Sequence, residues 1–83
     1  MSILACQIWQ VDKGEILKSI GKKIRKVRLD KGLTQLDLVG KMQGDIDVTN
    51  ISRIEAGRTN PTIFTLYRLA DALEVSILDL LKD

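Results

Sequence analysis

The sequence contains no histidine and one cysteine, Cys6. Acid–base relays, thiol nucleophiles and His/Cys metal sites therefore lack the residues they are built from. The acids Asp37, Asp45, Asp47 and Glu55 all stand where a helix cap or an ion pair would use a carboxylate. No glycine-rich phosphate loop is present. The chain reads as a non-enzyme with no metal site and no cofactor, and its core is too small to be expected to hold a small-molecule ligand. Recognition chemistry is what remains. The run Val48-Thr49-Asn50-Ile51-Ser52-Arg53 places Ile51 and Ile54 on one helical face. Val48, Thr49, Ser52 and Arg53 are left on the other. A helix that reads DNA needs that arrangement, polar outside near its N-terminus and apolar behind. Its first turn also offers free N–H groups and a partial positive charge to phosphate.

Charge distribution points the same way. Net charge is only +2, but residues 1–31 hold eight Lys/Arg against three Asp/Glu, and residues 33–83 hold five against eight. A basic element on a neutral-to-acidic body suits a polyanionic partner. Lys22, Lys23, Arg25 and Lys26 are read as a solubilising face that steers such a partner without specifying it. One cysteine cannot form an internal disulfide, which fits a reducing cytoplasm. No apolar run reaches the length needed to span a bilayer. The apolar start, Ser2–Val11, lacks the basic region and small-residue cleavage site of a signal peptide.

The elements that must position these residues can be traced by periodicity. Ile16, Ile20, Ile24 and Val27 recur on one face of a helix over Glu15–Lys31, which Gly32 stops. Thr34 opens a second helix, with Asp37 placed to complete a capping box, and the helix ends near Lys41–Gln43. Leu36, Leu38, Val39 and Met42 are its apolar contacts. Asp47 caps a third helix over Val48–Ala56, and Gly57 ends it. Pro61 bars continuation and Thr62 caps a fourth helix with the stripe Ile63, Leu66, Leu69, Ala70 and Leu73. Ser76 caps a short fifth helix carrying Ile77, Leu78, Leu80 and Leu81. Residues 1–14 stand apart as an N-terminal extension, and 15–83 form one domain. Within the extension, Ile3–Val11 alternates in a way that fits a short strand or a helical turn, and Asp12-Lys13-Gly14 breaks the pattern.

Residues 21–81 resemble the Xre/Cro-type, lambda-repressor-like helix-turn-helix family. The resemblance is carried by Gly21-Lys22-Lys23-Ile24-Arg25, Val27-Arg28, Lys31-Gly32-Leu33-Thr34-Gln35 and Leu38. It continues through Ile51-Ser52-Arg53-Ile54-Glu55-Ala56-Gly57-Arg58, Asn60-Pro61-Thr62, Leu66, Leu69-Ala70, Leu73, Val75-Ser76 and Leu80-Leu81. It implies an all-α, compact five-helix DNA-binding domain and a small transcriptional regulator, with the recognition helix at about 48–56 in the major groove of double-stranded DNA. It assigns base reading to Val48, Thr49, Ser52 and Arg53, and backbone contacts to Gln35, Asn50, Arg58 and Thr62. Val48 and the Thr49 methyl would meet thymine methyls, and Arg53 would take guanine bidentately. Three alternatives stay open: Val48 belongs to the core, Arg53 pairs with Asp45 or Asp47, or Gln35 is only a polar residue of the first turn; Ser52 and Asn50 stand on the border between base edge and backbone. Arg28 and Glu55 fall where the family joins its first and third helices by a partly buried ion pair. The segment Met42–Asp47 is longer than the tight turn usual between the second and third helices. Ile46 there takes the inward apolar place before the cap.

A homodimer on an inverted-repeat operator is expected, because one recognition helix reads few base pairs. Ile77, Leu78 and Leu81 offer an apolar interface on the last helix. Ile3, Leu4, Ile8, Trp9 and Val11 offer a second, unless that segment folds onto its own core or starts the chain unfolded. The alternative to DNA is a protein partner: an antitoxin or interaction module keeping the same fold. A restriction–modification controller would be a third role for the same domain.

Overall fold

Each helix begins at a side chain that carries oxygen. In the computed structural model, which describes residues 12–44 and 46–82, Asp12 opens α1 (Lys13–Asp30) and Thr34 opens α2 (Gln35–Met42). Asp47, Thr62 and Ser76 open α3 (Val48–Glu55), α4 (Ile63–Leu73) and α5 (Ile77–Leu81). Each cap accepts a hydrogen bond from a backbone N–H that the helix itself leaves unpartnered. The shortest runs from Asn50 N–H to Asp47 Oδ1 at 2.8 Å. Thr34 and Ser76 make full capping boxes with Asp37 and Asp79. The N–H of Thr34 and then its hydroxyl hold the Asp37 carboxyl below the ordinary carboxylate range. That box is therefore made at neutral pH. It loosens only as acid protonates Asp37 below the unfolded carboxylate range.

Helix ends repeat one device. At the end of α1, Leu33 N–H reaches Arg28 O and Gly32 N–H reaches Leu29 O, at 3.1 and 2.9 Å, with Gly32 left-handed at φ 71°. This is the Schellman arrangement. It recurs at Gly57 after α3, where Arg58 N–H meets Arg53 O. After α4 the same two bonds form, but the left-handed residue is Glu74, φ 60°, which has a side chain to accommodate.

These helices enclose an aliphatic core. Ile24, Leu38, Ile51, Leu69, Leu73 and Leu80 are fully buried, one or more from every helix. Helix α1 packs on α3, α4 and α5, and α2 packs on α3 and α4. The all-α, five-helix architecture expected from the sequence is the one observed, with no strand among the described residues. Ile46, in the long turn, packs half-buried against the core as expected.

Several details differ from the sequence expectation. Helix α1 starts at Lys13, so Asp12 is a cap and Gly14 is helical, where a break was expected; a division after residue 14 cuts this helix. Ile16 lies 43% exposed, although Ile20 and Val27 on the same face are half-buried. Leu36 and Ile63 were placed among the apolar contacts and are 68% and 62% exposed. Leu36 lies in the first turn of α2 and Ile63 opens α4, where the helix has emerged from the core. The readings made for residues 1–11, including Cys6 and the segment Ile3–Val11, lie outside the described residues.

Glu74 gives a direct test of the α4 ending. A side chain in the left-handed region costs roughly 1 kcal/mol or more, and glycine returns part of that gain as unfolded-state entropy. Glu74→Gly is expected to stabilise by about 0.5–1 kcal/mol and to raise the thermal midpoint by roughly 2–8 °C. Circular dichroism melting reads this, and a lowered midpoint would mean that the Glu74 side chain makes a compensating contact.

Candidate nucleic-acid interface

Helix α3 is eight residues long and divides cleanly by face. Ile51, Ile54 and Glu55 are buried. Thr49, Ser52 and Arg53, at spacings of three and four, are exposed and share the opposite face. Val48 is half-buried, at the margin between core and outer face. Arg53 makes no ion pair among the described residues, so pairing with Asp47 is not observed; Asp45 lies outside them. Asn50 is exposed, and its N–H serves the Asp47 cap.

A polar network fixes how α3 sits. Arg28, near the end of α1, donates from Nε to Glu55 Oε2 at 2.7 Å and from Nη2 to Glu55 Oε1 at 2.9 Å. Its third contact runs from Nη1 to the Leu33 carbonyl at 2.8 Å. Gln35 Nε2, in the first turn of α2, donates to Glu55 Oε1 at 3.2 Å. One guanidinium and one carboxylate thus tie α1, the loop after it, α2 and α3 together. Both residues are buried, at 6% and 8% exposure. The hydrogen bond to Glu55 raises the Arg28 guanidinium further above its ordinary value, with burial opposing. Two glycines let the helices approach. A Cβ at Gly21 would collide with the carbonyl oxygens of Ile54 and Glu55, and one at Gly57 would lie 2.8 Å from the Lys18 Cα. Helix α1 therefore meets the end of α3 backbone to backbone.

The other sequence-assigned residues spread around this frame. Gln35 is half-buried, with one amide N–H already engaged by Glu55, a contact not foreseen. Arg58 is exposed just past α3, and its N–H closes that helix on Arg53 O. Thr62 is exposed and caps α4, its Oγ1 accepting from Thr65 N–H at 3.1 Å. Leu78 and Leu81 are exposed and Ile77 is half-buried, on the last helix. Sequence reading missed the apolar surface beside them: Ile63, Phe64 and Tyr67 on α4 are all more than half exposed, and Tyr67 lines a shallow groove with Ile77 and Leu78. The available signal was positional, since Phe64 and Tyr67 fall outside the stripe of Leu66, Leu69, Ala70 and Leu73. Arg68 was also passed over; it donates to the Met42 carbonyl and lies over the Phe64 ring. No group of three or more His, Cys, Asp or Glu among the described residues is placed to hold a metal ion. No helix among them is long and apolar enough to cross a membrane.

The helix-turn-helix family model matches residues 24–80, from the middle of α1 to α5. The chain belongs to this family. The HTH-type transcriptional regulator y4dJ of Sinorhizobium fredii is 38% identical over 66 residues, which are 80% of this chain and 83% of that protein. Among solved structures, the DNA-binding domain of BldD is similar with a TM-score of 0.75 and 30% identity, over 83% of this chain and 97% of that one. The restriction–modification controller protein C.AhdI from Aeromonas hydrophila is similar with a TM-score of 0.72 and 28% identity, over 77% and 94%. In this helix-turn-helix protein α2 and α3 are the paired helices, and the Arg28–Glu55 network lies at the base of the second.

Breaking that network from one side leaves a buried charge uncompensated. Glu55→Gln is expected to cost about 3–5 kcal/mol and to lower the melting midpoint sharply. Thermal or urea unfolding measures it. An unchanged midpoint would mean that the glutamine amide meets the guanidinium as well as the carboxylate does.

Proposed function

We propose that this protein is a cytoplasmic, homodimeric regulator that reads an inverted-repeat operator by placing the outer face of α3 in the major groove. DNA binding in transcriptional regulation is the function of its family. The observation that carries the finer reading is the division of α3. Thr49, Ser52 and Arg53 stand exposed together, while Ile51, Ile54 and Glu55 hold the helix from behind. Arg53 is the guanine reader, free of ion pairs among the described residues. Thr49, and Val48 at the margin, supply methyl contacts, and Ser52 supplies a hydroxyl. Asn50, Arg58, Thr62 and the second N–H of Gln35 take phosphates on the two flanks, which sets register without reading sequence.

Exposed Leu78 and Leu81 support the dimer. Tyr67, with Phe64 and Ile63 behind it, extends that apolar surface along α4. Exposed patches of this kind mark interfaces, and aromatic residues concentrate binding energy within them. A two-fold pair presents its recognition helices about 34 Å apart, one turn of DNA.

Two measurements test this reading. Selection from random duplexes should return an inverted repeat with half-site centres about ten base pairs apart. On that site Arg53→Ala should cost about 1–3 kcal/mol and relax one base position in each half-site. Affinity should fall steeply with salt as counterions are released; binding that resists salt would point to a protein partner instead. In sedimentation, the chain should be a dimer at tens of micromolar, and changing Leu78 and Leu81 together to polar residues should yield monomer. A monomeric wild type with a non-palindromic site would overturn the dimer.

A further inference from the structure

The turn between α2 and α3 is long, yet α3 starts at a defined residue, and something must hold that turn in place. We propose that Arg68 of α4 is a positioning residue: its guanidinium clasps the α2–α3 turn and so sets how α3 presents its outer face to DNA. The proposal rests on α3 being the reading helix.

Arg68 Nη2 donates to the carbonyl of Met42 at 3.0 Å. Met42 is the last residue of α2, and its carbonyl is one of those that a helix leaves without a partner. Gln43 follows in the left-handed region, φ 51°, so the chain turns away from α2 at once. Gly44 then lies directly against the guanidinium. A Cβ at Gly44 would overlap Nη2 and stand 2.7 Å from Cζ. Gly44 is not among the residues with positive φ. Its backbone would accept a side chain, and what the missing side chain makes room for is Arg68. The Phe64 ring lies 5.8 Å from Arg68 Cζ, a cation–π distance that steadies the same group from α4. Arg68 also lines the cleft between α3 and α4 together with Ile46, Asn50 and Ile54. Three residues after Gly44 stands Asp47, the cap of α3. A single planar fork therefore touches the end of α2, the turn and the cleft behind the first turns of α3, and a flexible ammonium would not reproduce it.

The test compares wild type, Arg68→Met, Gly44→Ala and the double variant, all as the full chain, with Arg53→Ala in parallel. Each is titrated with the selected duplex and with random duplex at one salt concentration, well below its melting midpoint. Gly44→Ala is the cleaner single variant, because it displaces the guanidinium while keeping every charge. Each single variant is expected to lose about tenfold in the ratio of selected to random affinity, within what one well-made base contact contributes, while random-duplex affinity holds for Gly44→Ala. The double variant should lose no more than either single one, since both changes remove the same contact. A ratio that stays at the wild-type value with only the melting midpoint lowered would overturn the clasp, as would additive losses. If the ratio falls for Arg53→Ala alone, α3 reads DNA and the clasp fails by itself. If Arg53→Ala also leaves it unchanged, α3 is not the reading helix and both proposals fall.

Discussion

The bidentate pair between Arg28 and Glu55 is the constraint on which the arrangement of this domain depends. Its value is geometric before it is energetic. Two buried ions recover their lost hydration only if nearly every donor and acceptor is met, and here Leu33 and Gln35 complete the set. A hydrophobic contact tolerates sliding and rotation. A planar fork facing a carboxylate tolerates little of either. Since Glu55 closes the inner face of α3, the direction of that helix follows from the plane of one guanidinium. The glycine contacts at positions 21 and 57 act in the same sense, because they bring α1 so near α3 that no other residue fits between them.

Two kinds of interaction divide the labour. The aliphatic core, drawn from all five helices, supplies most of the stability through burial and is indifferent to small changes of register. Among the described residues, the side-chain hydrogen bonds that join elements distant in sequence are few: Arg28 with Glu55, Gln35 with Glu55, Arg68 with Met42. They specify orientation. Each lies next to α2, α3 or the turn between them, the part of the molecule proposed above to face DNA.

Much of this was legible in the sequence. Thr34, Asp47, Thr62 and Ser76 are caps whose chemistry is local, so each helix start from α2 onward falls where its cap predicts. The inner residues of α3 were readable for the same reason, being fixed by spacing alone. What was not legible depends on where a helix leaves the core. Ile16 and Ile63 keep the periodicity of buried residues, but each sits near a helix start, and spacing cannot show that a neighbour ends. Asp12 looked like a break because an apolar segment precedes it; the same residue is a cap when viewed from the helix that follows. Gln35 and Arg68 were missed or half-read because their partners lie 20 and 26 positions away, and no pattern within one helix announces a contact made to another. Of the proposed site, the sequence shows which face of α3 is outward. It does not show what holds that face at its angle.

The shortness of α3 has a consequence for when its outer face exists at all. Helices much under about 12 residues do not persist alone in water, and α3 has eight. Its shape is lent to it by the rest of the domain. A fragment with the right letters has no reason to adopt the right form. Denaturation and loss of the presented surface are then a single cooperative event. The outer face of α3 therefore exists only while the whole domain is folded around it.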